Sequence, residues 1–190
     1  LENARVYIKR RLLEECKRSV EVHVLSDLLD IRNDEWRNAV EGYLAGSKLS
    51  LVVAPAYAKT AMEIYGELDR REYWNVAVLA TEKASKAAPP IFENALSKEV
   101  EVREDYLRPF IDMLLGKVIK CRGIEALRKN RTGITPDCML YCNYRLQYIN
   151  PDHFTTWAYI GKASVKQRIR LLEAEIDNSR STKQPMTELT

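Results

Sequence analysis

A chain of 190 residues, 46% hydrophobic and 30% charged, can bury a core as one domain or two small lobes, and this composition excludes a largely disordered chain. Its 30 basic and 27 acidic residues leave a net charge of +3, too little to name a polyanionic partner without a local patch. No apolar run approaches the roughly 20 residues of a membrane helix, and the opening LENARVYIKRRLLEECKRSV is too charged for a signal peptide, so a soluble, cytoplasmic fragment of a longer protein is expected.

Residues 1–20 read as an amphipathic arm helix, with Ala4, Ile8, Leu12 and Cys16 recurring every fourth position. A first lobe over 21–88 then alternates. VEVHVL (20–25) has strand character, 34–45 is a helix capped by Asn33 or Asp34, LSLVV (49–53) is a buried strand, 55–71 is a helix opened by Pro55, and NVAVLA (75–80) is another strand. After the proline-containing SKAAPPIF, a second lobe over 89–151 runs through the strand EVEV (99–102), a helix over 103–116 and the strand KVIK. A short helix at GIEALRKN and one or two strands in MLYCNYRLQYI complete it. From about Asp152 to residue 178 a second arm helix carries Val165, Ile169, Leu172 and Ile176 at coiled-coil spacing; 179–190 reads as a polar, frayed tail. Ile8 and Leu12 on the first arm, with those four on the last, define an antiparallel coiled-coil seam; ordinary core packing is the alternative.

The two lobes echo each other. YLAGSKLSLVVAPAYAKTAMEIY and MLLGKVIKCRGIEALRKN both read helix end, glycine, apolar strand, connection, helix, with Gly46 and Gly116 as left-handed helix terminators. The expected fold is α/β (α+β): two related lobes of small sheets and packed helices, flanked by coiled-coil stubs.

Chemistry-bearing patterns are sparse. GYLAGSK has the wrong spacing for a phosphate-binding loop and runs from helix to strand, the reverse of what such a loop needs. Cys16, Cys121, Cys138 and Cys142 form no CxxC pair and are not grouped with His23 or His153, so free thiols are expected rather than a metal site, disulfides or a Cys-His nucleophile. The pairs Asp34/Glu35 and Glu104/Asp105 sit at helix starts, where the helix dipole accounts for them. Trp36, Ala39, Val40, Tyr43 and Leu44 follow one helical face and read as core. Arg128, Lys129 and Arg131 form a basic stretch that suits phosphate contacts, against the commoner meaning of a solvated face.

The order HVLSDLLDIRNDEWRNAVEGYLAGSKLSLVVAPAYAKTAMEIYGEL, then NVAVLA, then LLGKVIKCRGIEALRKNRTGITPDCMLY resembles the hinge domain of structural maintenance of chromosomes (SMC) proteins over residues 22 to about 149. The DEW tryptophan and the ending CNYRLQYINPDHFTTWAYIGKASVKQRIRLLEAEI look most like divergent bacterial members of the MukB and Wadjet kind. The resemblance implies a module that is not itself an enzyme, takes no cofactor or small-molecule substrate, and dimerises a DNA-acting ATPase whose heads lie outside this chain. Two departures stand out: Cys138 occupies the place of a usual glycine after T-x-D, and no glycine occurs between Gly133 and Gly161. If the usual interface is kept, Tyr141, Cys142, Asn143, Tyr144, Arg145 and Gln147 are the expected homodimer surface, an exposed strand edge being able to pair across a twofold. A nucleic-acid-binding module using Arg128, Lys129 and Arg131, and a small cytosolic α/β enzyme, are the alternative readings.

Overall fold

The computed structural model describes residues 1–181, with the side chains at 162–168, 171 and 181 left aside. In chain order α1 (Glu2–Cys16), β1 (His23–Val24), β2 (Leu29–Ile31), α2 (Arg37–Leu44), β3 (Leu51–Val52), α3 (Ala58–Gly66), α4 (Arg70–Tyr73) and α5 (Thr81–Ala84) make the first half. β4 (Val100–Val102), α6 (Arg108–Leu115), β5 (Ile119–Lys120), α7 (Ile124–Arg128), β6 (Thr132–Ile134), β7 (Met139–Cys142), β8 (Arg145–Tyr148) and α8 (Gly161–Ser181) make the second. The strands form the two-stranded sheets β1-β3 and β2-β4 and the four-stranded sheet β5-β6-β7-β8.

An internal repeat organises the centre. Leu25–Leu44 and Leu96–Leu115 align at one constant offset that matches Leu25 with Leu96, Ser26 with Ser97, Arg32 with Arg103, Asp34 with Asp105, and Arg37 with Arg108. Each copy runs 3-10 turn, strand, 3-10 turn, helix. The strands β2 and β4 pair antiparallel about Asp30↔Glu101, the same position of both copies. Arg32 N–H donates to Glu99 O as Arg103 N–H donates to Leu28 O, both at 2.8–2.9 Å. The copies are therefore related by a local twofold through that pair. The predicted echo began at the helix ends and missed this better-matched leading half, because β2 lies in DLLDIR, which lacks the alternating valines that mark its mate β4 in EVEV.

Two apolar clusters result. One joins both copies: Leu25, Leu29, Trp36, Val40 and Leu44 pack with Leu96, Val100, Leu107, Ile111 and Leu115. The other is made by the outer layer, where Ala4, Ile8 and Leu12 of α1 pack with Ala58, Ala61 and Ile64 of α3 around Leu51 and Val53. The lobes divided at residue 88 are thus fused through their leading halves, and α1 belongs to the first of them rather than standing off as an arm. Ile8 and Leu12 are fully buried there, whereas Ile169, Leu172 and Ile176 of α8 are about half exposed. The expected seam between the end helices is accordingly not what buries Ile8 and Leu12. The side chain of Val165 and the tail from residue 182 lie outside the described residues.

Other boundaries differ for local reasons. NVAVLA contributes a single bridge, Leu51↔Val78, and no named strand. Residues 151–160 form turns rather than the first part of the last helix, which begins at Gly161. Gly46 lies in a 3-10 turn, and a positive φ falls instead on Ala45, at φ 45° and ψ −126°, outside the left-handed helical conformation. Gly116 has φ −67°, so it is no left-handed terminator; a Cβ there would meet Asp112 O at 2.3 Å and Pro90 O at 3.0 Å. Gly116→Ala is expected to lower the unfolding free energy by about 2 kcal/mol through this overpacking, measurable by urea titration.

Candidate dimerisation surface and adjoining cleft

β8 closes one side of the larger sheet, and among the described residues no strand lies beyond it. The hairpin is tight: Cys142 pairs with Arg145 across the two-residue turn Asn143-Tyr144, both at positive φ (49° and 67°), as a type I′ turn requires. Pairing then alternates between hydrogen-bonded and non-bonded positions. Ile149 N–H donates to Cys138 O at 3.0 Å, so Arg145 and Gln147 also turn their amides to β7, while those of Leu146 and Tyr148 turn outward. All four β8 residues are exposed, and among the described residues nothing takes these outward backbone groups.

This revises the expected surface. Tyr141 and Cys142 sit on β7, whose two edges are both paired, so neither offers a free edge. Arg145 and Gln147 are on the open strand but point their amides inward; Leu146 and Tyr148, which the sequence did not single out, carry the open edge. By register Met139, Tyr141, Leu146 and Tyr148 share the sheet face next to α7, and Tyr148 is 68% exposed. Only the hairpin's register, not its composition, separates these from their neighbours.

The segment also stores backbone strain. Of the five non-glycine residues with positive φ among the described residues, three are Cys138, Asn143 and Tyr144. Cys138, at φ 64°, thus takes the conformation that favours the glycine expected after T-x-D; burial, with Asp137 beside it, pushes its thiol up to about 12. Tyr144 is 94% exposed, so its ring gains no packing within the chain to offset a left-handed backbone. Tyr144→Gly, which makes the preferred Asn-Gly turn, is expected to raise the unfolding free energy by about 1 kcal/mol and the melting temperature with it.

The basic stretch is split. Lys129 reaches Glu125 one helical turn back, at 3.5 Å. Arg128 and Arg131 instead line a cleft of about 410 Å³ with Asn130, Tyr141, Asn143 and Tyr144. The residues expected for nucleic-acid contact and those expected for dimerisation therefore meet in one place, although no β8 residue lines the cleft.

The last arm is rooted by a buried ionic network that no motif announced. Lys48, 1% exposed, donates to Glu41 Oε2 at 2.6 Å and to the His153 carbonyl at 2.6 Å; Glu41 Oε1 accepts from Tyr159 N–H at 3.1 Å and Ile160 N–H at 2.7 Å. Burial pulls the Lys48 ammonium below its ordinary pKa, and Glu41 opposes that shift. Arg37 donates to Ile160 O at 2.8 Å, and Gly161, at φ 76°, leaves a gap that a Cβ would close to 2.5 Å from Asp30 Oδ1. The lysine of GSK is thus a structural cation. It lies in the connection that makes the first copy longer than the second, seven positions from Leu44 to Leu51 against four from Leu115 to Ile119.

On the opposite flank Arg122 forms two hydrogen bonds to Glu35, at 2.6 and 2.9 Å, and holds its carboxyl below the usual range. Lys120, paired with Glu99, and Arg122 both stand over the Trp36 ring, at 5.5 and 5.8 Å. All four cysteines are free, and among the described residues no three His, Cys, Asp or Glu side chains converge as a metal site would require. No described helix is long and apolar enough to cross a membrane.

A local twofold relates two α/β units, with one strand edge left open and a helix at each end. Solved structures share that fold. The SMC hinge domain of Geobacillus stearothermophilus, solved as an asymmetric dimer, is 17% identical with a TM-score of 0.56, covering 93% of this chain and 75% of its own. The Pyrococcus furiosus SMC hinge domain is 17% identical at 0.51, covering 77% and 87%. That hinge with an extended coiled coil is 16% identical at 0.51, covering 97% and 80%. The sequence matches no family model and no curated protein. The fold of this chain is that of an SMC hinge.

Proposed function

We propose that this chain is the dimerising hinge of an SMC-like ATPase, joining two copies of a long parent protein whose ATP-binding heads lie elsewhere. The open edge of β8, with Leu146 and Tyr148 turning unpaired amides and carbonyls outward, carries the reading, because a strand edge is self-complementary across a twofold. The dimer of the Geobacillus stearothermophilus hinge supports it. In this reading the module makes and breaks no bonds, takes no cofactor or small-molecule substrate, and works in the cytoplasm at the nucleoid. The parent acts on DNA in chromosome organisation, segregation, repair or plasmid defence, and the likeness of the DEW tryptophan and the CNYRLQYI ending to MukB- and Wadjet-type proteins supports reading it as one of that kind. An enzyme is disfavoured because the cleft holds none of the side chains whose proton affinity is displaced, Lys48 and Cys138 among them.

Light scattering over a concentration series tests the reading. The expected result is a mass approaching twice the 22.0 kDa of the chain; a mass that stays at one chain at every concentration would remove it.

A further inference from the structure

We infer that residues 149–160, the strap joining β8 to α8, are a two-state latch: a partner strand on β8 favours the latched state, and release of the strap frees the root of α8 and weakens the dimer. The inference rests on the dimer reading of β8 and adds a conformational device to it.

The two states stand side by side in the internal repeat. At the offset that matches Leu25 with Leu96, Arg37 matches Arg108 and Glu41 matches Asp112. In the second copy of the repeat this pair is closed across one helical turn. Arg108 donates to Asp112 Oδ1 at 2.7 Å and to the carbonyls of Val100 and Ser97 at 2.6 and 3.1 Å. In the first copy the pair is parted, and the main chain of Ile160 stands between its members: Ile160 N–H donates to Glu41 Oε1 at 2.7 Å, and Ile160 O accepts from Arg37 at 2.8 Å. Lys48 adds a grip on His153 O at 2.6 Å. Withdrawal of the strap therefore strands no charge, because Lys48 stays on Glu41 and Arg37 is one turn away, free to close on it as Arg108 closes on Asp112. A buried carboxylate with two alternative sets of donors is the bistable element that a switch needs.

The apolar seat differs between the copies in the same sense. Gly42 matches Met113, and a Cβ at Gly42 would meet Phe154 Cδ1 at 3.1 Å and Ile149 Cγ2 at 3.2 Å, so a larger residue there would crowd the strap. Ile149 is also where the strap meets the open edge. Its N–H donates to Cys138 O at 3.0 Å, one position past the last named pair, Met139 with Tyr148. Withdrawal of Ile149 from Gly42 loosens that bond beside Tyr148, whereas a partner strand holds β8 in place. Pairing and latching thus favour each other, by one common factor.

Two variants release the strap from opposite ends. Gly42→Met copies the second half of the repeat and fills the seat. Gly161→Ala adds a Cβ 2.5 Å from Asp30 Oδ1, on backbone at φ 76°, just past the strap's far end. Single-amide hydrogen–deuterium exchange reads the latch, and sedimentation velocity reads the dimer. Both variants are expected to speed exchange of Tyr159 and Ile160 together by about tenfold, while the Ile111 and Leu115 amides of α6 stay as protected as in the parent chain, and to weaken the dimer about fivefold. In the parent chain the Tyr159 and Ile160 amides are expected to slow as concentration rises, and in Tyr148→Pro to ignore it. Tyr159 and Ile160 amides that exchange only with global unfolding, or variants that open the strap and dimerise like the parent, would overturn the inference. A mass of one chain at every concentration would overturn the dimer reading and the coupling with it. The two amides tell that result from failure of the latch, since in the variants they open whether or not the chain dimerises.

Discussion

Replacing Lys48 by methionine is expected to lower the unfolding free energy by about 4 kcal/mol, read from urea titration, the cost of leaving one buried charge without its partner. The reason is specific to this network. Glu41 is fully buried, and without Lys48 its carboxylate would keep only the Tyr159 and Ile160 amides as donors. The carbonyl of His153 would lose a donor at the same stroke. Glu41→Gln is expected to cost a similar amount, since it strands the ammonium instead. The double variant Glu41→Gln, Lys48→Met removes both charges while keeping a side-chain acceptor for the two amides, and is expected to lie closer to the parent than either single change. Additive losses would mean that the two groups are not coupled.

The pH dependence follows from the sign of the lysine shift. With the folded pKa below the ordinary lysine value, the unfolded chain binds more protons between the two, so stability rises with pH across that window and falls as pH drops through the folded value. Lys48→Met is expected to flatten this rise. Because the network grips the main chain at 153–160, the damage is also expected to appear first as faster exchange of the Tyr159 and Ile160 amides, at the root of α8.

Tyr148→Pro is expected to weaken the dimer at least a hundredfold, about 2.8 kcal/mol, while leaving the folded monomer intact. Proline removes an amide hydrogen, and at this position that hydrogen faces outward from the open edge rather than to β7. The neighbouring Gln147→Pro removes an amide that β7 uses, so it is expected to destabilise the hairpin itself. Sedimentation velocity on the two variants, with melting temperature measured alongside, reads the contrast. Equal dimerisation by Tyr148→Pro and the parent chain would place the interface elsewhere.

The legibility of this chain followed the length of its signals. Helices with several turns of periodicity, such as α6 with Pro109 in its first turn, stand close to where spacing put them, and Asn33, one of the two expected caps, accepts from Glu35 N–H at the start of the 3-10 turn Asp34–Trp36 that leads into α2. Of the expected core face, Trp36, Ala39, Val40 and Leu44 are buried and Tyr43 is half-buried against them. β3, β4 and β5 are as short and still stand inside LSLVV, EVEV and KVIK, whose apolar residues are mostly β-branched; β2 in DLLDIR and β6 in RTGI lack such a run, and the central twofold hung on β2. The stripe Ala4, Ile8, Leu12 reads as apolar with two partners open, the last helix or the core, and the core is what covers it; periodicity reports that a face is buried and not against what. At the candidate surface, the hairpin was visible as a run of β-formers, but which amides face outward depends on register, and register depends on a two-residue turn made without glycine. Lys48 was the least legible: a buried lysine is recognised only when its acid, seven residues away, and a carbonyl at residue 153 are brought to it.

Backbone exchange at β8 tests the central claim most directly. In hydrogen–deuterium exchange resolved to single amides, Leu146 and Tyr148 are expected to be protected at high protein concentration and to lose that protection on dilution, while Arg145 and Gln147, bonded to β7, stay protected throughout. Leu146 and Tyr148 amides that exchange freely at every concentration would contradict dimerisation through this edge.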